Sequence, residues 1–336
     1  MSLPIVVPEA VAVLGQGAAT YLLEFFLCQV RNRNTREAYE RACLQFFAWT
    51  ARLGVDDCRG VEPLHVAAWV EAMQAEGYGA QTVKQRLAAI RMLFDWLVSG
   101  GIVGRNPAAG VKGPKHKVHR GKTPVLEGSE AAQLLDAIPT TNLAGLRDRA
   151  IIGLMTYSFA RIGAVVGMSV GDVFHQQKHL WVRLLEKGGH VHEMPCNQTL
   201  EKYLADYLEK SGLKGKRNSP LFPSFMSWRT RKEGEHGKAE CQNGRQRQEK
   251  YRLTGRPLHR LEALAMVKRR AKAAGLNTAV VNHTFRCTGI TNYLKNGGDL
   301  ERARLMANHA SIKTTQLYDR RSERMTLDDV DRICLS

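Results

Sequence analysis

What this chain lacks narrows its chemistry first. Its seven cysteines, Cys28, Cys43, Cys58, Cys196, Cys241, Cys287 and Cys334, are odd in number, scattered and without a CxxC pair. Neither a disulfide framework nor a zinc site is signalled, and a reducing cytoplasm is the expected setting. The N-terminus lacks the charged, apolar, small-residue order of a signal peptide, and no uninterrupted stretch of about 18 apolar residues offers a membrane span. No internal repeat is present. Acidic side chains are the scarcer kind of charge: 32 Asp and Glu stand against 49 Lys and Arg in 336 residues, for a net charge of +17.

That surplus is concentrated. Residues 1–110 hold 10 basic and 10 acidic side chains, whereas residues 111–123 hold five basic and no acidic ones. Residues 212–275 hold 17 basic and 5 acidic side chains. Clustering of this kind suits neutralisation of a phosphate backbone, the sequence-independent part of DNA binding. A solubilising surface with a disordered loop is the plainer alternative.

The length allows two domains. Residues 36–53 carry apolar side chains at three and four spacing, and Asn34 with Glu37 suggests a capping box at the start. A second amphipathic run, Gln81 to Val98, places Val83, Leu87, Ile90, Leu93, Phe94 and Leu97 on one face, with Lys84, Arg86 and Arg91 elsewhere. With shorter helices near 17–30 and 63–76, residues 1–110 are expected to form a helical bundle. The basic segment 111–123 is expected to be a linker carrying Lys112, Lys115, Lys117, Arg120 and Lys122. From residue 124 to 336 the pattern predicts helices at 128–137 and 144–157 and a helix bearing Arg161. Strands follow at 180–185 and 190–194 about a Lys187-Gly188-Gly189 turn, and helix resumes from Leu200. The basic stretch, about 212–260, has no clear periodicity and is expected to be an insertion. The fold class is mainly α with a small β-sheet.

Along the second half stand Arg161, Lys187, His283-Thr284-Phe285-Arg286, His309 and Tyr318, in that order. Each has an ordinary explanation taken singly. Arg161 can pair with a carboxylate, Lys187 can be a solvated turn lysine, His309 a capping or core histidine, and Tyr318 a packed aromatic. Together they meet the demands of phosphoryl transfer. Two guanidiniums can clamp the non-bridging oxygens of a phosphodiester as they gather charge. A tyrosine hydroxyl, with a free pKa of about 10, needs a base, and the departing 5′ oxygen needs an acid. His283 and Lys187 fit those two roles. His283 and Arg286, three apart, share one face of a helix.

This constellation resembles the tyrosine recombinases, the phage integrase family of site-specific DNA recombinases. The resemblance is carried by Ala160-Arg161-Ile162-Gly163, Glu186-Lys187-Gly188-Gly189, His283-Thr284-Phe285-Arg286 and the run from Asn308-His309-Ala310 to Leu317-Tyr318. Upstream, Asn34-Thr35-Arg36-Glu37-Ala38-Tyr39 and the stretch ending Arg105-Asn106-Pro107 are similar to the family's DNA-clamping domain, so residues 20–320 are covered. The resemblance implies a helical core-binding, SAM-like domain followed by an α+β catalytic domain. It implies Arg161, Lys187, His283, Arg286 and His309 as catalytic residues and Tyr318 as nucleophile, forming a 3′-phosphotyrosyl bond without metal, ATP or other cofactor. DNA contacts are expected from Lys84, Arg86, Arg91 and the linker cations.

Further expectations follow from the family. The partner is double-stranded DNA with short inverted core sites, bound by a dimer on each site and a homotetramer in all. The setting is a bacterial cytoplasm, at the nucleoid, in the service of a mobile element. A C-terminal tail helix with Leu327, Val330 and Ile333 or Cys334 is expected to dock on the next protomer. The short N-terminus leaves no room for an extra arm-binding domain. One departure stands out: where the family commonly has a glutamate three residues after the first arginine, this chain has Ala164. DNA relaxation by a type IB topoisomerase-like enzyme, or a DNA-binding relative with impaired catalysis, are the alternative readings.

Overall fold

The computed structural model describes residues 5–115, 121–186, 189–226 and 252–320. The chain forms two compact units, 1–117 and 118–336.

The first unit is helical throughout its described residues. It comprises α1 (Glu9–Ala12), α2 (Gln16–Glu24), a π-helical turn (Phe25–Gln29), α3 (Arg33–Ala51), α4 (Pro63–Ala75) and α5 (Ala80–Ser99). Helix α3 begins earlier than the apolar pattern suggests because Asn32, not Asn34, caps it. The Asn32 side chain accepts from the backbone N–H groups of Asn34 and Thr35 at 3.0 and 3.2 Å, filling donors that the first turn leaves open. Glu37, expected as the second half of the cap, instead pairs with Arg33 at 2.9 Å. The apolar face of α5 is buried as its spacing requires, and Phe94 meets Phe46 and Phe47 edge-on or tilted. Trp96 at the far end donates to the Tyr21 carbonyl at 2.9 Å, tying α5 to α2.

The second unit opens with α6 (Gly128–Asp136), α7 (Leu143–Tyr157) and the short α8 (Ile162–Gly167). An antiparallel sheet follows, in the order β1 (Val173–Gln176), β2 (His179–Leu185), β3 (Val191–Pro195). The β2–β3 register pairs Leu185 with Val191. Helix α9 (Gln198–Ser211) leads to a second hairpin, β4 (Pro223–Met226) with β5 (Arg252–Pro257), and then to α10 (Arg260–Ala273), α11 (Asn282–Lys295), α12 (Leu300–Met306) and α13 (Ile312–Gln316).

Part of the stretch expected to be a basic insertion, about 212–260, forms the hairpin β4–β5. Leu221 and Phe222 are fully buried, and Tyr207 on α9 stacks on Phe222. What hid these strands is their composition: their anchoring is ionic as well as apolar. Asp148 on α7, 1% exposed, is held by Arg147 at 3.0 Å and by Arg270 of α10 at 2.8 Å. Arg147 also donates to the Pro223 carbonyl at 3.2 Å and lies over the Phe225 ring. A buried carboxylate with two guanidiniums satisfies the rule that buried charge is paired, and it staples β4 and α10 to α7.

Helices α7 and α11 cross closely at Gly289, where a Cβ would sit 2.0 Å from the Thr156 carbonyl oxygen. Just after α7, Phe159 turns the chain through a left-handed backbone, φ 52°. These two features bring the start of α8 against α11, which is where the candidate site lies. The predicted tail helix, with Leu327, Val330, Ile333 and Cys334, falls outside the described residues.

Candidate active site

Five of the six residues singled out in the sequence fall among the described residues of the second unit; Lys187 lies outside them. Arg161 does not sit within a helix. It is the extended residue that caps α8, φ −73° and ψ 143°, and its carbonyl accepts from Ala164 and Val165. Its side chain is free to reach sideways to the sheet, where Nη1 donates to Glu186 Oε2 at 2.5 Å.

Arg286 and His283 project from the first turns of α11. Arg286 is 1% exposed. Nη1 donates to the Phe159 carbonyl, and Nη2 donates to the Ala307 carbonyl at 2.5 Å and to His309 Nε2 at 2.7 Å. Its Nε is buried without a partner. A charged N–H left open in so enclosed a place stands out, because buried donors are nearly always paired.

The donor count fixes the state of His309. Because Nε2 accepts from a guanidinium, Nδ1 carries the proton and donates to Thr315 Oγ1 at 2.9 Å. Burial first, then the charges of Arg286 and Arg161, pull its pKa down to about 3, so the ring is neutral. It stacks on Tyr318 with centroids 5.3 Å apart. Asn308 before it adopts a left-handed backbone, φ 47°, and Arg304 donates to the His309 carbonyl at 2.8 Å.

Tyr318 is half-buried just after α13. Its backbone is fixed from three sides: its N–H donates to Thr315 O, its carbonyl accepts from Thr291 Oγ1 at 2.8 Å, and the preceding Leu317 carbonyl accepts from Gly121 N–H at 2.9 Å. The phenol oxygen lies 2.9 Å from His283 Nε2. Burial raises the Tyr318 pKa, while Arg286 and Arg161 act in the opposite sense. The His283 pKa is lowered, first by desolvation and then by Arg286 and Arg161, although the residue as a whole remains exposed. Both shifts favour the neutral forms, in which Nε2 can accept from the phenol, the arrangement a general base requires.

Sequence reasoning overlooked the part played by Glu186. Its signal was present in the strand alternation: Leu180, Val182 and Leu184 point inward from β2, and Glu186 continues that buried series. An acid on a buried face needs a cation.

The expected DNA-contacting residues divide. Lys84, Lys112, Lys115 and Lys122 are exposed, and Arg86 is half-buried with its guanidinium over the Tyr78 ring. Arg91, by contrast, spends its guanidinium on the Ala108 and Val111 carbonyls, holding the chain after α5 in place. Lys117 and Arg120 lie outside the described residues. Among the described residues no helix is long and apolar enough to cross a membrane.

Comparison with known proteins gives two family matches: "Phage integrase family" over residues 124–325 and "Phage integrase, N-terminal SAM-like domain" over residues 19–101. Among curated relatives, the tyrosine recombinase XerD of Corynebacterium glutamicum is 28% identical over 309 residues, covering 90% of this chain and 92% of its own. The tyrosine recombinase XerC of Xylella fastidiosa is 28% identical over 287 residues, 85% of each. Among solved structures, a XerH site-specific recombinase bound to palindromic difH substrate shares the fold with a TM-score of 0.64 at 17% identity, covering 89% of this chain and 79% of that one. A lambda integrase dimer bound to a COC′ core site does so with a TM-score of 0.61 at 16% identity, covering 92% and 98%.

Proposed function

Because the chain belongs to the phage integrase family and is a tyrosine recombinase, an enzyme that transfers DNA strands, we propose that Tyr318 is its nucleophile and His283 the base that activates it. The observation that carries this reading is the 2.9 Å contact between His283 Nε2 and Tyr318 Oη. In the proposed step the Tyr318 oxygen bonds to the scissile phosphorus and its proton passes to His283. The bond from phosphorus to the 5′ oxygen breaks, and that oxygen leaves as a hydroxyl with a proton from Lys187. The 5′ hydroxyl of a partner strand reverses the sequence and frees the tyrosine. One phosphodiester replaces another of similar energy, so no ATP is consumed.

Arg161 and Arg286 stand at the non-bridging oxygens. The Arg161 guanidinium, half-exposed, is the one open to them, and the Nε–H of Arg286 lies buried without a partner. His309 is a holder in this reading: by accepting from Arg286 it fixes the guanidinium plane, and by stacking it sets the face of Tyr318. The substrate is double-stranded DNA with short inverted core sites, met by a dimer on each site and a homotetramer in the exchange complex. Lys84, Arg86, Lys112, Lys115, Lys117, Arg120 and Lys122 supply phosphate contacts, and the setting is the cytoplasm. DNA-bound dimeric structural relatives support the partner.

The test is covalent capture. On a nicked suicide substrate bearing the cognate site, the protein is expected to become linked to the 3′ phosphate, and Tyr318→Phe to bind the site yet form no adduct. An adduct from the phenylalanine variant would remove Tyr318 from the role.

A further inference from the structure

We propose that Glu186 is the positioning residue for Arg161, a carboxylate delivered from the end of β2 that holds this guanidinium at the phosphate. The proposal rests on the reading of Arg161 given above. Three observations converge on it.

The first is the local chain around Arg161. The position one turn on from Arg161, three residues along the chain, is Ala164, 6% exposed, whose methyl group accepts nothing. Support for the guanidinium has to come from another element.

The second is the state of Glu186. Its side chain is 3% exposed and pairs with Arg161 Nη1 at 2.5 Å, whereas the arginine side chain is 37% exposed. The acid is thus the fixed member of the pair and the guanidinium the one that still faces the site. A carboxylate enclosed to this degree is retained at a cost in desolvation that only a close, charge-assisted hydrogen bond offsets. Its charge also reaches Arg286, which it helps to keep protonated.

The third is how Glu186 itself is fixed. Its N–H donates to the His190 carbonyl at 2.9 Å and its carbonyl accepts from Gly189 N–H at 3.1 Å. Gly189 takes a left-handed backbone, φ 82°. These two backbone bonds set where the carboxylate stands.

The experiment is a double-mutant cycle on the full chain, read by single-turnover cleavage of the suicide substrate beside gel-shift affinity for the intact site. Glu186→Gln keeps the shape and removes the charge. It is expected to slow cleavage by about 10- to 100-fold, in the range typical for residues that support a site from behind, with affinity changed less than about threefold. If Glu186 acts through Arg161, the Glu186→Gln/Arg161→Ala double variant cleaves no more slowly than Arg161→Ala alone. Glu186→Asp, which keeps the charge but falls one methylene short, is expected to fold and to lie between wild type and Gln. It serves as the second variant if burial makes the amide unstable. Cleavage at the wild-type rate by Glu186→Gln, or losses that multiply in the double variant, would overturn the proposal. Wild-type cleavage by Arg161→Ala would instead overturn the assignment of Arg161, a separate failure visible in the same cycle.

Discussion

His283 Nε2 and Tyr318 Oη stand 2.9 Å apart although 35 residues separate them in the chain. The contact joins the first turn of α11 to the residue beyond α13, and the protonation states on both sides agree with it. A half-buried phenol resists ionising, and a desolvated histidine near two guanidiniums resists protonation, so both shifts favour the proton on the tyrosine.

That arrangement has a signature in pH. The His283 pKa is lowered from its ordinary 6.5. The base is therefore in its working, neutral form at and above this value, and cleavage should stay level as pH falls through about 6.5 and decline only below it. The check is single-turnover cleavage against pH, with His283→Ala expected to be slow and to lack that decline. A decline centred at or above pH 7 would contradict the base assignment.

His309 gives a stability counterpart with its own sign. Its folded pKa, about 3, lies below the unfolded value near 6.5, so the unfolded chain binds a proton that the native state refuses. Its contribution is complete above about pH 6.5 and is lost progressively as pH falls toward 3. Thermal melts should show wild type losing stability faster than His309→Gln across that interval.

For Arg286, replacement by lysine keeps charge but abandons the Phe159 and Ala307 carbonyls, His309 and the open Nε–H. A lysine cannot present a planar fork. Arg286→Lys should slow cleavage by about 100-fold or more, as loss of an oxyanion-type donor does, while site affinity in a gel shift changes only a few-fold. Equal losses in both would make Arg286 a phosphate anchor alone.

Gly289→Ala tests the crossing that assembles the site. The added methyl would stand 2.0 Å from the Thr156 carbonyl, so α7 and α11 must part. We expect a loss of about 1–3 kcal/mol, seen as a lower denaturation midpoint, with slower cleavage because Phe159 and Arg286 separate.

Deletion of residues 326–336 addresses assembly. The family resemblance implies that the tail carrying Leu327, Val330 and Ile333 docks on a neighbouring protomer, and the deletion tests that expectation. The truncated protein should bind the site and cleave it but fail to exchange strands between two labelled duplexes. Exchange at the full rate would refute docking by the tail.

The linear sequence determined the residue types, their order and the local geometry that follows from spacing. His283 and Arg286 share a helical face because three residues separate them, and the alternation in β2 turns Leu180, Val182 and Leu184 inward. It also determined the helices of the first unit, whose apolar periodicity is strong, though not their caps: Asn32 displaced Asn34 because its extended backbone aims the side chain at open N–H groups. Only the tertiary structure decided the pairings that give those residues their states. Glu186 meets Arg161, Phe159 and Ala307 meet Arg286, and Asp148 meets Arg147 and Arg270. Apart from the adjacent Arg147 and Asp148, these partners lie far apart in the chain and follow no local period. They are set by a helix crossing that one glycine permits and by the register of one hairpin, and the charge on each group depends on what those contacts bury beside it.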